Sequence, residues 1–523
     1  MRKRARRSKA LLVAATAALL VLSAIVPAVA EIEPAIPHPE QEEQAQAKLQ
    51  ALEEKFGKKP NILIFLVDDM GWGDPGVYGG GHMSGAPTPN IDRLARNGLM
   101  LTSTYAQPTC SPTRATMMTG RLPIRHGIYR PPMYSEKGGI VDEVTSAQIL
   151  REAGYVTALT GKWHLGESEA QQPQNMGYDE FYGFLGVCNI YTEWRDPYFN
   201  PEVAYSKERT AMIKHAPFSK DVVQAKRGEK LQKVKEITIP VLANLDQDFA
   251  DKTENFIQRM EKSDKPFFLI HAFSKVHFDN YPADGYHGKS PAKHQYKDGV
   301  IEVDDIVGRI INALHETGQA EDTLVFFTSD NGPEEDTWPD TGYTPFRGGK
   351  GSTWEGGVRV PGIAYWPGTI EAGRISDGLF DLADLFNTSL NLAGAKDKIP
   401  TDRYIDGVDQ TSFLLTDDGL SNRRSVFYYL NEKLAAVRWN EYKAHGYIVE
   451  VGNGEYEAMG SMQNATIQQA AKSIFYNLYT DPKERRAVTI RKLWLAPILQ
   501  GEMGRHKMSL IKYPPKKPQV TIE

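Results

Sequence analysis

A cysteine and an arginine lie close together in the segment Cys-Ser-Pro-Thr-Arg, which begins at Cys110. Ser111 followed by Pro112 is typical of a helix start, because serine caps the first turn and proline fits the first helical position. Cys110 is therefore predicted at the amino-terminal end of a helix, where free N–H groups and the helix dipole favour negative charge. Arg114, about one turn further on, is expected to face the same point. The segment predicts an anion pocket beside a reactive sulfur atom.

The elements that must position this pocket are four buried strands. Continuous apolar runs, typical of strands buried on both faces, occur at residues 62–67, 156–160, 267–270 and 323–328. Helical patterns lie between the runs, at residues 90–96, 144–153 and 300–315. This alternation predicts an α/β fold with a large, mostly parallel sheet sandwiched by helices.

Ionisable and amide side chains follow each of the four runs. They are Asp68 and Asp69, Lys162 and His164, His277, and Asp330 and Asn331. Ligands of parallel sheets bind beyond the carboxyl ends of the strands, so these side chains are expected to share one site. The oxygen ligands of Asp68, Asp69, Asp330 and Asn331 suit Ca²⁺ or Mg²⁺ and disfavour zinc, which prefers histidine or cysteine.

The pattern changes after about residue 395. Short alternating segments predict antiparallel strands at residues 425–430, 434–438 and 442–449, and a helical stretch is predicted near residues 467–472. These segments indicate a smaller C-terminal subdomain made of an antiparallel sheet plus helix. The expected divisions are a polar N-terminal extension at 31–59, a catalytic domain at 60–395, and the antiparallel subdomain and tail at 396–523.

Residues 1–30 have the pattern of a secretory signal peptide. Six basic residues precede an apolar run at residues 11–26, and Ala28-Val29-Ala30 is a small-residue cleavage site. Arg6-Arg7 before the apolar run is compatible with twin-arginine export. An uncleaved membrane anchor is the alternative, but the run is short for a spanning helix. The protein is therefore expected to be secreted or periplasmic, without stable membrane insertion once the signal is removed.

The net charge and the cysteine content exclude some classes of partner and fold. Removal of the six basic residues of the signal lowers the formal net charge from −5 to −11. No nucleic-acid partner is expected for such an acidic chain, and attraction for an anionic substrate must be local to the site. Two cysteines in 523 residues exclude a disulfide-stapled fold. A Cys110–Cys188 disulfide is the alternative to a reactive Cys110.

The pattern C-x-P-x-R from Cys110, with T-G-R at 119–121, resembles the signature of the type I sulfatases of the alkaline phosphatase superfamily. Other segments are similar to further motifs of that family. They are T-P-N-I-D-R-L-A from Thr88, G-K-W-H-L-G from Gly161, F-R-G-G-K-G from Phe346 with E-G-G from Glu355, and L-Y-T-D-P-K-E from Leu478. The similarity extends from residue 60 to about residue 490. The chain departs from the family at Arg486, where asparagine is common.

The resemblance implies an activity and its cofactors. In the family, the cysteine is oxidised after translation to formylglycine (3-oxoalanine) by a formylglycine-generating maturation enzyme, and we expect this change at Cys110. One Ca²⁺ per chain is implied, bound by an oxygen of the modified residue 110 together with the predicted metal ligands Asp68, Asp69, Asp330 and Asn331. The implied reaction is arylsulfatase-like hydrolysis of sulfate monoesters of small molecules or carbohydrates.

The resemblance also implies roles for the other site residues. A hydroxyl of the hydrated aldehyde at position 110, activated by the metal and Asp330, attacks sulfur and forms a covalent sulfo-enzyme intermediate. His277 or Lys350 protonates the leaving alcohol. His164 then takes the proton from the second hydroxyl, and elimination of sulfate regenerates the aldehyde.

The negative charge of the sulfate group must be neutralised during this reaction, and Arg114, Lys162 and Lys350 are expected to do so. Two alternatives stay open. One is a formylglycine-dependent phosphonate or phosphodiester hydrolase on the same fold. The other is an exported protein whose Cys110 remains a thiol, and which binds sulfated ligands without turnover.

Overall fold

The computed structural model describes residues 30–132, 136–187, 196–197, 200–212, 218–450 and 466–520. Cys188 and all of the predicted signal peptide except Ala30 lie outside these ranges. Within them, no helix is both long enough and apolar enough to span a membrane.

The described strands are numbered in chain order. They are β1 (Glu31–Ile32), β2 (Asn61–Val67), β3 (Leu99–Tyr105), β4 (Val156–Lys162), β5 (Glu180–Phe184), β6 (Asp221–Lys226), β7 (Gln232–Glu236), β8 (Phe267–Ala272), β9 (Thr323–Ser329), β10 (Arg359–Tyr365), β11 (Arg374–Ser376), β12 (Phe380–Asp381), β13 (Tyr404–Ile405), β14 (Ser425–Leu430), β15 (Lys433–Trp439), β16 (Tyr442–Glu450) and β17 (Thr466–Asn477).

The described α-helices follow the same order. They are α1 (Pro39–Phe56), α2 (Pro89–Arg96), α3 (Cys110–Thr119), α4 (Pro123–His126), α5 (Ser146–Glu152), α6 (Pro201–Ala204), α7 (Lys207–Met212), α8 (Ile239–Ala243), α9 (Leu245–Met260), α10 (Gln295–Glu316), α11 (Glu355–Val358), α12 (Asp384–Leu392), α13 (Thr411–Leu415) and α14 (Ala496–Lys512).

Strands β2–β12 form one sheet of eleven strands, in the order β11-β3-β10-β9-β2-β8-β4-β5-β6-β7, with β12 also paired to β3. The consecutive strands β9, β2, β8, β4 and β5 are parallel to one another. Antiparallel pairing occurs on either side of them, at β10 and at β6–β7. The predicted α/β fold with a mostly parallel sheet is confirmed.

The centre of this sheet is buried on both faces. Every residue of β2 is buried. Ile62 and Ile64 pack on one face with residues of α3, α5 and α12, whereas Leu63 and Phe65 pack on the other with residues of α2, α9 and α10. Burial of each such side chain stabilises the fold by roughly 1.5–3 kcal/mol. This two-sided packing explains why β2 is apolar throughout rather than alternating.

The four predicted strands correspond to β2, β4, β8 and β9, and the three predicted helices between them to α2, α5 and α10. The edge strands were not predicted. In β7, whose sequence is Gln-Lys-Val-Lys-Glu, four of the five residues are exposed, so no apolar pattern marks it. Its pairing with β6 defines it as a strand instead.

The C-terminal part contains a separate antiparallel sheet in the order β14-β15-β16-β17, as predicted. Leu499 of α14 packs against Phe427 and Val437 of this sheet in one apolar cluster. The subdomain therefore consists of an antiparallel sheet and a helix.

The predicted helix near residues 467–472 is wrong. These residues belong to β17, in which Ile467 lies opposite Val449 and Gln469 opposite Tyr447 of β16. The run of alanine, glutamine and lysine has a high helix propensity, but pairing with the neighbouring strand overrides it. The helix of the subdomain is α14, near the end of the described chain.

The N-terminal extension contains a helix, α1, and it is anchored to a distant part of the chain. Strand β1 pairs with β13. In α1, Ala45 and Gln41 are buried, and the Gln41 amide donates to Ser412 Oγ at 3.0 Å and to the Leu420 carbonyl at 2.9 Å. The extension thus packs against the segment that follows β13.

Gly161 allows β4 to deliver Lys162 to the edge of the sheet. Its φ is +106°, and an added Cβ would lie 1.7 Å from the carbonyl oxygen of Ala272 in β8. Gly161→Ala is therefore expected to lower the free energy of unfolding by about 3 kcal/mol and to reduce activity by displacing Lys162. Thermal unfolding and an activity assay measure both effects.

Gly154→Ala is the matched control. Gly154 has a similar φ of +96°, but nothing lies within 4 Å of its added Cβ. Gly154→Ala should lower the free energy of unfolding by only about 1 kcal/mol, because it introduces backbone strain without a steric clash. An equal loss of stability in the two variants would show that contact with Ala272 is not what requires glycine at position 161.

Candidate active site

Cys110 is the first residue of α3 and is buried. It forms no disulfide among the described residues. Burial raises the pKa of its thiol to about 12, against the opposing charges of Lys162 and Lys350. A thiol with this pKa is neutral at pH 7 and is a weak nucleophile. Cys110 is therefore located as predicted, but the unmodified side chain is poorly suited to attack an ester.

The predicted start of the helix is shifted. The residue that precedes the first turn is Thr109, so Ser111 and Pro112 lie inside α3 rather than at its cap. Ser111 Oγ instead donates to the carbonyl oxygen of His164 at 2.7 Å. This hydrogen bond joins the start of α3 to the segment that follows β4.

Arg114 connects α3 to three strand ends and is completely buried. Its Nε and Nη2 donate to Asp330 Oδ2 at 2.9 and 2.8 Å, and its Nη1 donates to the Lys162 carbonyl at 2.9 Å. Nη2 also lies 3.8 Å from Asp68 Oδ1. Burial acts to lower the pKa of Arg114, but the carboxylates of Asp330 and Asp68 raise it, so the guanidinium stays charged.

Asp68, Asp69 and Asp330 form a buried cluster in which each offers a carboxylate oxygen within 4.8 Å of the others. Lys162 Nζ donates to Asp68 Oδ2 at 2.5 Å. Burial and the charge of Asp68 raise the pKa of Asp330 to about 7. Burial also acts to raise the pKa of Asp68, but Lys162 and the neighbouring cations lower it well below its usual value. The cluster thus requires nearby positive charge in order to ionise.

Asn331 completes a set of oxygen donors. Its Nδ2 donates to Asp69 Oδ1 at 2.7 Å and to the Gly332 carbonyl at 2.8 Å, which fixes the orientation of the amide. Its Oδ1 is buried and has no hydrogen-bond partner in the described part of the chain. An unpaired buried carbonyl oxygen beside three carboxylates fits a hard divalent cation such as Ca²⁺.

His164 is buried, and neither of its ring nitrogens has a hydrogen-bond partner within the described ranges. Burial, then the charges of Lys162 and Arg114, lower its pKa well below the usual value, so the ring is neutral at pH 7. Its φ of +58° is unusual for a residue other than glycine. Such backbone strain is often retained at functional sites.

Lys350 and His277 lie together at one side of the carboxylate cluster. Lys350 Nζ donates to Asp69 Oδ2 at 2.7 Å and lies 3.4 Å from His277 Nε2. His277 Nδ1 donates to the Phe278 carbonyl at 2.5 Å. Burial, then the charge of Lys350, lower the pKa of His277 to about 4. Burial acts to lower the pKa of Lys350, but Asp69 and Glu334 raise it well above the usual value.

Glu334 is a member of this site that the sequence analysis missed. Its Oε2 accepts a hydrogen bond from Lys350 Nζ at 2.7 Å. Burial raises its pKa to about 7, with the charge of Lys350 opposing. No sequence motif distinguished it, because it lies in a polar loop five residues after the end of β9.

The structure brings all of the predicted site residues to the carboxyl edge of the sheet. Direct contacts connect Arg114, Lys162, His277, Lys350 and the four predicted metal ligands, and the charges of Lys162, Lys350 and Asp330 act on Cys110. A buried sulfur at a helix start, a cluster of oxygen donors that could hold a metal ion and three cations thus occupy one place.

Family models and solved structures identify this arrangement. Residues 60–395 match the family model Sulfatase, and residues 435–511 match the model of the sulfatase AslA C-terminal domain. The chain belongs to the sulfatase family.

The relatives of this sulfatase are themselves sulfuric ester hydrolases. N-acetylgalactosamine-6-sulfatase of Canis lupus familiaris is 35% identical over 491 residues, which cover 88% of each chain. Human arylsulfatase A is 33% identical, covering 82% of this chain and 83% of its own. The crystal structure of PsFucS1 sulfatase from Pseudoalteromonas sp. superposes with a TM-score of 0.89 at 44% identity, covering 95% of this chain and 99% of that chain. This sulfatase accordingly hydrolyses sulfate esters.

Proposed function

We propose that the sulfatase hydrolyses sulfate monoesters of carbohydrates, using a formylglycine made from Cys110 and one Ca²⁺ per chain. The observation that carries this proposal is the position of Cys110, at a helix start within the field of Lys162 and Lys350 and beside the carboxylate cluster. The similarity to N-acetylgalactosamine-6-sulfatase supports a carbohydrate as the alcohol part of the ester. Arylsulfatase-like turnover of simple aryl sulfates is expected as well.

An ordinary cysteine thiol at position 110 is poorly suited to be the nucleophile, because burial raises its pKa to about 12. Formylglycine, the aldehyde that a maturation enzyme of the sulfatase pathway makes from cysteine, supplies a hydroxyl nucleophile when hydrated. Asp330, whose pKa burial raises to about 7, is placed to accept a proton near position 110.

The metal ligands supplied by the chain would be Asp68, Asp69, Asp330 and Asn331, with residue 110 adding a further oxygen. Calcium bound there supplies positive charge that stabilises negative charge on the transferred sulfate group. The unpaired Asn331 Oδ1 and the all-oxygen donor set support this assignment.

The remaining residues bind the sulfate group and move protons. Arg114, Lys162 and Lys350 bring three positive charges to the site, which balance the three carboxylates. A bound divalent cation would leave the site with an excess of positive charge, and so provide the local attraction for anions that the acidic chain as a whole lacks.

The proton donor for the leaving alcohol is His277 or Lys350, which lie 3.4 Å apart. The neutral His277 donates Nδ1–H to the Phe278 carbonyl, so it can supply a proton from Nε2 only after taking one from Lys350. His164, neutral because of its burial, is the base that helps to release sulfate.

Two further proposals concern organisation and location. Residues 60–395 act as the catalytic domain, between the extension at 31–59 and the C-terminal subdomain at 396–523. Residues 1–30 direct export to the periplasm or the medium, as their basic, apolar and small-residue regions indicate.

Cys110→Ala tests the proposed nucleophile. Turnover of 4-nitrophenyl sulfate should be abolished, whereas the free energy of unfolding should change by only about 1 kcal/mol, because the substitution removes only the polar end of one small buried side chain. Mass spectrometry of the tryptic peptide 97–114 from the unaltered protein should show the aldehyde in place of the thiol. Full activity in the variant would disprove the mechanism, and an unmodified, inactive wild type would favour the binding alternative.

Calcium content tests the metal site. Elemental analysis of dialysed protein should show about one calcium per chain. Removal of calcium by a chelator should lower the melting temperature, because an ion that binds only the folded state stabilises it. The Asn331→Ala variant should need a higher calcium concentration than the wild type to recover its melting temperature. The Asn97→Ala variant, changed at an exposed position, should need the same concentration as the wild type. Stoichiometric zinc without calcium would support a phosphatase instead.

A series of leaving groups tests the role of His277. His277→Ala should reduce kcat/KM for sulfate esters of poor leaving groups more than for 4-nitrophenyl sulfate, because a good leaving group needs little protonation. An equal loss across the series would remove His277 from the acid role. Matched phosphonate and phosphodiester substrates belong in the same series, and a kcat/KM for them well above that for sulfate would overturn the proposed reaction.

A further inference from the structure

Glu334 adds a carboxylate to the site that is not among the four predicted metal ligands, although one of its oxygens lies within 4.8 Å of Asp69 and His277 ligand atoms. It follows β9 three residues after Asn331, and its Oε2 accepts a hydrogen bond from Lys350 Nζ at 2.7 Å. The backbone reinforces this contact, because the N–H of Lys350 donates to the Pro333 carbonyl at 2.9 Å. Lys350 is therefore held to the segment 333–334 by both its main chain and its side chain.

The ammonium group of Lys350 has three protons, and each has an acceptor. Asp69 Oδ2 and Glu334 Oε2 each lie 2.7 Å from Nζ, and His277 Nε2 lies at 3.4 Å. On the other side, the N–H of Gly351 donates to the Pro108 carbonyl at 2.7 Å, which ties this loop to the segment before Cys110. The charge of Glu334 therefore acts on a group that is fixed relative to the nucleophile position.

The charges of the site indicate what Glu334 does. The cations Arg114, Lys162 and Lys350 equal in number the carboxylates Asp68, Asp69 and Asp330. A bound divalent cation then leaves two positive charges in excess. The carboxylate of Glu334 reduces that excess to one. His164 and His277 add no charge to this sum, because burial keeps both rings neutral at pH 7 and above.

A single excess positive charge at the site matches a sulfate monoester better than a phosphate monoester. A sulfate monoester carries one negative charge, whereas a phosphate monoester carries nearly two above pH 7, since its second pKa is about 6. A site with one positive charge in excess is neutralised by the sulfate ester. The same site without Glu334 would match the phosphate ester.

We propose that Glu334 is a specificity-determining residue, which holds Lys350 and sets the charge of the site so that singly charged sulfate esters are preferred over doubly charged phosphate esters. The inference rests on the proposed function, since it requires the sulfate group to be bound beside Lys350.

The test compares 4-nitrophenyl sulfate with 4-nitrophenyl phosphate at pH 8, where both the Glu334 carboxylate and the phosphate ester are ionised. Glu334→Gln keeps an oxygen that can accept from Lys350 but removes the charge. We expect the ratio of kcat/KM for phosphate to that for sulfate to rise about tenfold, as one charge acting across a few ångströms in a partly buried site predicts.

Binding provides a second measurement that is independent of turnover. In the Cys110→Ala background, calorimetric titration gives Kd for each ester with and without Glu334→Gln. The phosphate ester should bind about tenfold more tightly relative to the sulfate ester when the carboxylate is absent. If Glu334 only stabilised the fold, melting temperature and both affinities would fall together and their ratio would stay constant.

Two variants serve as controls. Glu334→Asp retains the charge and should keep the wild-type ratio, and Glu335→Gln removes a neighbouring carboxylate and should also leave it unchanged. An unchanged ratio in Glu334→Gln, or the same rise in either control, would overturn the inference. Glu334→Ala replaces the glutamine variant if the latter does not fold.

Failure of the inference about Glu334 can be distinguished from failure of the proposed function. A wild-type protein that does not hydrolyse 4-nitrophenyl sulfate, or a Cys110→Ala variant that remains active, contradicts the proposed function itself. A wild-type sulfatase with the expected dependence on Cys110, whose selectivity does not respond to Glu334→Gln, contradicts only the role of Glu334.

Discussion

The mutual repulsion of Asp68, Asp69 and Asp330 is the constraint on which this structure depends. Three carboxylates that approach within 4.8 Å in the interior of a protein cannot all ionise unless positive charge lies beside them. The chain supplies that charge from three different elements: Arg114 from α3, Lys162 from β4, and Lys350 from the loop before α11. A divalent cation would add to it. Because buried charges are costly without partners, each of these side chains requires the others.

The sheet makes this convergence possible. Parallel pairing of β9, β2, β8 and β4 places the carboxyl ends of four strands side by side, so residues far apart in the chain become neighbours. Helix α3 then brings Cys110 and Arg114 over the same edge, and the hydrogen bond from Ser111 to the His164 carbonyl holds its first turn there. Two of the cations that stabilise the carboxylates, Lys162 and Lys350, also act on Cys110. One arrangement therefore serves both the carboxylate cluster and the proposed attraction for an anionic substrate.

The C-terminal subdomain supports the loop that carries Lys350. Glu355, just beyond that loop, accepts a hydrogen bond from Lys443 Nζ at 2.8 Å, and its N–H donates to Glu484 Oε2 at 2.8 Å. Glu484 also bonds to His445 at 2.7 Å, and its carbonyl accepts from Arg347 at 3.1 Å. This buried network joins the E-G-G segment to the L-Y-T-D-P-K-E segment. It connects these two motifs, which are remote from Cys110 in the sequence, to the loop that carries Lys350.

The sequence by itself determined the central strands, the residues that follow them and the position of Cys110 at a helix start, because buried parallel strands and helix starts leave local patterns of apolar and capping residues. It did not determine β7, which has no apolar face, or β17, whose helix-forming residues become a strand through pairing with β16. It located the four predicted metal ligands only as two pairs at two strand ends. The parallel pairing of β2 with β9 brings them together. The membership of Glu334 in the site was determined by the tertiary structure alone. A glutamate in a polar loop resembles any solvated residue, and only its 2.7 Å contact with Lys350 places it in the site. Contacts between distant segments depend on the packing of the whole sheet, and no local pattern records them.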